Sequence, residues 1–284
     1  MFKSIAALVA LFASTSAIAQ IGPEIAYAKE SGSGFDIYLV NSNGSGLVQL
    51  YRGAAKKGIP HLDIKPGGGE IAFMEGTVLK TLRYDNNGVA LGPPTIIEST
   101  CMAGTMDYSP DGTSLLYAAS CAGSGQIKRF PGSSTPLVVT GILSSVRWTR
   151  DGSSFIYNTS TASAPGVHYY HRRTLTGSTD VVLFQTNYGG WIDVGRVGDT
   201  IVHTNGQSYT SEYSTIDGSL IGQANFITGT DGHYSPTDDR ILYRSPHVAS
   251  GVYLMIRQNS GAVSRLTGKG GYSGKDWRPA LPAN

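Results

Sequence analysis

The stretch "YSPDGTSLLY" (Tyr108–Tyr117) joins a Pro-Asp-Gly turn to an apolar alternation on its far side. It reads as a tight hairpin, because glycine supplies the left-handed backbone that such turns need. Aligned on the turn, related stretches recur: "DIKPGGGEIAF" (Asp63–Phe73), "DYSPDGTSLLY" (Asp107–Tyr117) and "RWTRDGSSFIY" (Arg147–Tyr157). They continue as "DVGRVGDTIVH" (Asp193–His203) and "HYSPTDDRILY" (His233–Tyr243). A sixth copy is split between "DWRP" (Asp276–Pro279) at one end of the chain and "EIAY" (Glu24–Tyr27) at the other. The fourth residues of these stretches are Pro66, Pro110, Arg150, Arg196, Pro236 and Pro279, spaced by 44, 40, 46, 40 and 43. A period near forty in a strand-rich chain is the signature of a propeller blade.

Each repeat reads as four strands. Strand A precedes the turn and strand B follows it. Strand C alternates, as in "FDIYLVN" (Phe35–Asn41), and a Gly-containing hairpin such as "DNNG" (Asp85–Gly88) leads to strand D. The pattern predicts an all-β fold, a six-bladed β-propeller with four-stranded blades. The spare strand A in "KDWRPAL" (Lys275–Leu281) pairs beside Glu24–Tyr27 and closes the ring, removing two sheet edges that would otherwise invite aggregation.

Bulk composition agrees. Only 15% of residues are charged, while Gly reaches 37 and Tyr 16, which suits sheets joined by many turns. A formal net charge of +2 gives no footing for nucleic-acid binding. The segment "MFKSIAALVALFASTSAIAQ" has one basic residue, a short apolar run and small residues at Ala17 and Ala19. That is the layout of a secretory signal peptide over residues 1–19, with residues 20–284 as a single propeller domain. The apolar run is far shorter than the ~20 residues of a spanning helix. The mature chain is therefore expected to be exported and to carry no transmembrane segment.

The pattern aromatic-Ser-Pro-Asp-Gly-x-x-apolar-x-aromatic resembles the PD40 repeat of the TolB-type β-propeller family. Tyr108–Tyr117 fits it residue for residue, Tyr234–Tyr243 and Trp148–Tyr157 fit with one or two departures, and Ile64–Phe73 keeps the Pro-Gly turn. TolB proper carries an N-terminal α/β domain before its propeller. Here the first strand is expected about five residues after the signal peptide, which leaves no room for that domain. The resemblance implies a bacterial propeller, secreted across the inner membrane to a periplasmic or extracellular location, that binds partners on a loop face. A propeller fold by itself does not assign an activity.

Three groups of residues are candidates for function. First, the A strands place Asp63, Asp107, Arg147, Asp193, His233 and Asp276 at one level. Buried charges cannot stand alone, so the acids have two outcomes. Either they accept hydrogen bonds from the next blade, or Asp63, Asp107, Asp193 and Asp276 converge on Ca²⁺ or Mg²⁺ in the central channel. No cofactor is required, and the spacing of a dedicated calcium loop is missing. Second, the face carrying the D–A and B–C loops gathers His61, Trp191, Asp231, His233, Arg244, His247 and Tyr272. Aromatic and Arg side chains anchor protein interfaces, and aromatics also stack on sugars. Third, Cys101 lies just before strand A of the third repeat and Cys121 just after its strand B, which suggests one disulfide in an exported chain.

Catalytic signatures are sparse. G-x-S-x-G, H-E-x-x-H and C-x-x-C do not occur. The expected function is a non-enzymatic, monomeric binding or scaffold module for an envelope protein or glycan. The alternative is a carbohydrate-active enzyme, a polysaccharide lyase or hydrolase. Its site would lie at the channel mouth, where His61, His233 and His247 can meet as histidines do in propeller-type pectate lyases.

The proposed Cys101–Cys121 bridge closes a loop of about twenty residues, worth on the order of 3 kcal/mol in the loop-entropy model. The native mature protein should therefore show no thiol reactive towards Ellman's reagent until it is reduced. Two thiols titrating without reductant would refute the bridge.

Overall fold

The computed structural model describes residues 23–32, 34–54, 61–99, 102–121, 124–132, 135–140, 142–160, 166–187, 189–195, 199–205, 210–224, 230–235, 240–247, 251–257, 262–267 and 272–277. These residues hold twenty-four strands in six four-stranded antiparallel sheets, with no helix among them. Blade 1 has the order β24 (Tyr272–Trp277), β1 (Ile25–Ser31), β2 (Gly34–Val40), β3 (Val48–Arg52). Blade 2 runs β4 (Leu62–Ile64), β5 (Glu70–Glu75), β6 (Val78–Arg83), β7 (Thr95–Glu98). Blade 3 comprises β8 (Met102–Tyr108), β9 (Leu115–Cys121), β10 (Ser124–Phe130) and β11 (Val138–Thr140). In blade 4 the order is β12 (Ile142–Trp148), β13 (Ser154–Ser160), β14 (His168–Thr174), β15 (Asp180–Thr186). Blade 5 is formed by β16 (Gly190–Val194), β17 (Thr200–Asn205), β18 (Thr210–Ser214) and β19 (Leu220–Ala224). Blade 6 ends the series with β20 (Thr230–Tyr234), β21 (Ile241–His247), β22 (Gly251–Arg257) and β23 (Val263–Arg265).

The strands β24, β4, β8, β12, β16 and β20, one from each blade, touch one another in that cyclic order. The protein is thus a six-bladed β-propeller whose A strands line the axis. The split repeat closes it as expected: Ile25 pairs with Trp277, Ala26 with Asp276 and Tyr27 with Lys275.

Apolar burial follows the ring. Each blade-to-blade interface has its own buried cluster, because alternate residues of a strand face opposite sides of its sheet. Between blades 1 and 2, Ile37, Leu39, Ile64, Ile71 and Phe73 are fully buried. Between blades 3 and 4 the cluster includes Leu116, Ile127, Val146, Trp148 and Phe155. Blades 4 and 5 meet through Ile156, Tyr170, Phe184, Ile192 and Ile201, and blades 5 and 6 through Val202, Tyr234, Ile241 and Tyr243.

The Pro110–Gly112 turn is built alike in successive blades. Ser109 N–H donates to Ser114 O at 2.7 Å, and the same step spans Lys65 to Glu70, Thr149 to Ser154, Gly195 to Thr200 and Ser235 to Arg240. Asp111 Oδ1 accepts from Ser109 Oγ at 2.5 Å and from Thr113 N–H at 3.0 Å. The Ser109 hydroxyl, followed by the Thr113 N–H, holds the Asp111 carboxyl below its ordinary value. Gly112 adopts φ 69°, and a Cβ there would lie 3.3 Å from Lys65 Cε of the preceding blade. Gly152 repeats this with φ 67° against Pro110 Cδ at 3.4 Å. A side chain at either position would be strained in its backbone and crowded by the neighbouring turn.

Truncation before Lys275 removes the pairing of β24 with the inner half of β1 and exposes two edges. Calorimetry should show a drop of roughly 10 °C or more in Tm, or loss of cooperative melting. A truncated chain that melts like the full-length protein would contradict closure through β24.

Candidate functional site

Adjacent A strands belong to different sheets, so their inner backbone groups cannot all be satisfied by strand pairing. Side chains supply the missing acceptors. Tyr108 N–H donates to Asp63 Oδ2 at 2.5 Å, Trp148 N–H to Asp107 Oδ2 at 2.5 Å and Tyr234 N–H to Asp193 Oδ2 at 2.8 Å. Each aspartate therefore clamps the A strand of the following blade, at the residue after the equivalent ring position. Blade 4 has Arg147 there, and the polarity reverses. Arg147 Nε donates to Asp193 Oδ1 at 3.0 Å, and its Nη1 reaches back to Met106 O at 2.7 Å. Asp193 thus takes a guanidinium on one oxygen and a backbone amide on the other.

Of the two outcomes open to the ring acids, interblade hydrogen bonding is what Asp63, Asp107 and Asp193 display. Among the described residues no group of three or more His, Cys, Asp or Glu side chains could hold a metal ion. The side chain of Asp276 lies outside the described residues. His233 is buried at the corresponding level of blade 6.

A second tier of clamps lies farther out. Tyr108 Oη donates to Glu70 Oε1 at 3.0 Å, Tyr117 Oη to Glu98 Oε2 at 2.5 Å and Tyr234 Oη to Glu212 Oε1 at 2.5 Å. Tyr51 of blade 1 reaches Glu75 of blade 2, which also holds Lys80. Burial, followed by the adjoining carboxylate, pushes the Tyr108 and Tyr117 phenols up. Nothing in the sequence flagged these glutamates, because their partners lie roughly twenty to forty residues away.

Two residues above the ring level the blades diverge. Blades 3, 4 and 6 slip register between Ala103 and Met106, Leu143 and Val146, and Thr230 and His233. Blade 1 slips between Tyr27 and Ala28, opposite β24. Such irregularities re-aim the residues they contain. In blade 3, Thr105 Oγ1 accepts from Val146 N–H at 2.7 Å; in blade 4, Ser145 N–H donates to Asn158 Oδ1 at 2.7 Å. Blades 2 and 5 keep regular pairing over the described residues of β4 and β16. They carry His61 and Trp191 at this level, two residues before Asp63 and Asp193.

Blades 2 and 5 are opposite members of the ring, and their rings meet across it. The His61 and Trp191 centroids are 4.9 Å apart, with the planes at 54°. Both residues are half-buried. His61 O accepts Met74 N–H at 3.0 Å, which anchors that residue to strand B of its own blade. The axis at this mouth is therefore spanned by an imidazole–indole contact directly above the aspartate ring.

Of the other residues expected on this face, Asp231 falls in β20, Arg244 and His247 in β21, and Tyr272 in β24. Their side chains lie outside the described residues. So does Cys101, as does the side chain of Cys121. The backbone pairs Met102 with Ser120 and Cys121 with Ser124.

No family model matches the chain, and no curated protein matches it. Solved structures do. TolB from Acinetobacter baumannii superimposes with a TM-score of 0.74 at 18% identity, over 92% of this chain and 67% of that one. A structure of a nidogen/laminin complex gives 0.68 at 9% identity, over 90% and 98%. A structure described as putative TolB from Agrobacterium tumefaciens gives 0.64 at 15% identity, over 89% and 92%. At these identities the likeness establishes the fold, that of the TolB-type propeller.

The ring clamps generate a mutational expectation. Asp107→Ala strands the buried Trp148 N–H and should cost about 2–3 kcal/mol, lowering Tm by roughly 5–10 °C. Glu30→Ala, at an exposed residue on β1, should shift Tm by about 1 °C or less. Equal, near-zero shifts in calorimetry would remove the clamp.

Proposed function

We propose that this chain is an exported, non-enzymatic propeller that presents its D–A and B–C loop face to an envelope protein or glycan. The signal-peptide pattern of residues 1–19 supports export, and no helix among the described residues is long and apolar enough to cross a membrane. The observation that carries the binding reading is the His61–Trp191 contact across the channel mouth. It sets a half-buried aromatic pair at the centre of a face, where an interface gains most from rigid rings surrounded by polar residues. Beneath it Asp63, Asp107 and Asp193 are committed to holding blades together, which suits a scaffold.

The fold is compatible with this use. TolB structures share it, and so does a chain solved in a nidogen/laminin complex, an assembly of two proteins.

The test is capture from an envelope extract with the mature protein, with its Trp191→Ala variant, and with and without chelator. A central aromatic anchor is worth about 2 kcal/mol or more. Retention of a specific protein or glycan should therefore fall at least tenfold in Trp191→Ala and be indifferent to chelator. Chelator-sensitive depolymerisation of an acidic polysaccharide would instead favour the lyase or hydrolase.

A further inference from the structure

We propose that Gly189–Gly190–Trp191 is an acid-operated gate on the channel mouth, opened by protonation of His203. The segment rests on two imidazoles. A Cβ on Gly189 would lie 2.6 Å from His168 Cε1, and one on Gly190 would lie 2.6 Å from His203 Nε2 and 2.3 Å from Thr204 O. Only glycine allows the backbone this close to both rings. The next residue is Trp191, whose ring reaches across the axis to His61. Movement of the glycine pair therefore moves the indole.

His203 is placed to force that movement. It is 3% exposed, and its Nε2 is buried without a hydrogen-bond partner. From β14 it meets Tyr170 edge-on at 5.1 Å, from β15 Phe184 at 6.3 Å and from β18 Tyr213 at 6.4 Å. Tyr170 Oη is likewise buried, facing Thr186, Asn158 and the Gly190 backbone. On β14, His168 adds like charge when protonated, while Arg172 is turned to Thr215 O. The neighbouring carboxylates are engaged elsewhere, Glu212 of β18 with Tyr234 Oη and Asp193 of β16 with Arg147 and the Tyr234 N–H. An imidazolium at this position is thus uncompensated, and a buried uncompensated charge is costly until it gains water or a partner. The backbone packed against its Nε2 is that of Gly190, which has no side chain.

Burial, then His168, depresses His203 to about 4 from the ordinary 6.5. The folded value is lowered, so the closed arrangement is fully favoured above pH 6.5. It loses ground as the pH falls through 6.5 towards 4, where closed protein itself takes up the proton. Opening then becomes up to tenfold more favourable per pH unit, and about a few hundred-fold across the window.

The readout is ¹⁹F NMR of protein labelled with 5-fluorotryptophan, with the Trp191 signal assigned by Trp191→Phe. Trp191 should shift between pH 6.5 and 4 with the midpoint that ¹⁵N-labelled histidine reports for His203, while Trp148 in the core stays fixed. His203→Gln should abolish the shift, and His61→Gln should leave its midpoint in place. Gly190→Ala should displace the Trp191 signal towards its acid position already at pH 7.5. A midpoint that follows His61 and not His203, or a Trp191 signal unmoved by both acid and Gly190→Ala, would overturn the gate. The wild-type titration decides the matter even if a variant fails to fold.

Discussion

A carboxylate on one innermost strand accepting a backbone N–H from the next blade's innermost strand is the contact on which the closed ring depends. Apolar clusters press the blades together, but such packing has little directional preference and would tolerate sliding. A buried amide left without an acceptor carries a penalty comparable to a lost hydrogen bond, so each aspartate fixes both distance and level. Arg147 shows the constraint most clearly. Where the repeat offers a donor instead of an acceptor, Asp193 of the following blade takes it and still clamps Tyr234 with its second oxygen. The network tolerates a change of residue provided every donor finds an acceptor.

The same regularity sets the channel mouth by being broken. Four innermost strands slip register just above the ring, and two on opposite sides do not. Regular pairing in blades 2 and 5 leaves His61 and Trp191 at the height where they can meet, so the mouth has a two-sided bridge on a six-fold frame. Hairpin turns on the far side stack Gly against the preceding blade's turn and stiffen the base.

The proposed binding role rests on this upper face. There an aromatic bridge sits over an axis at which Asp63, Asp107 and Asp193 already hold the next blade. The gate adds a dependence on acidity to that surface, through histidines whose nearest backbone has no side chain to protect it.

How much of this was readable from the chain follows from the range of each interaction. Turn chemistry and alternation are local, so the forty-residue period, the blade count, the four-strand plan and closure through Lys275, Asp276 and Trp277 were all legible. The level of Asp63, Asp107, Arg147 and Asp193 was legible too, since it repeats with the turn. Their actual partners were not, because a carboxylate reads the same whether it meets a cation or an amide some forty residues away. Nor could spacing reveal that His61 touches Trp191, or that Gly189 and Gly190 lie on His168 and His203. Register slips in four strands select those neighbours, and a slip is decided by how the blades pack and not by the sequence of any one strand. The repeat alone determined a six-bladed ring; the tertiary structure decided which side chains face one another across it, because that depends on the angle and height at which each blade meets the next.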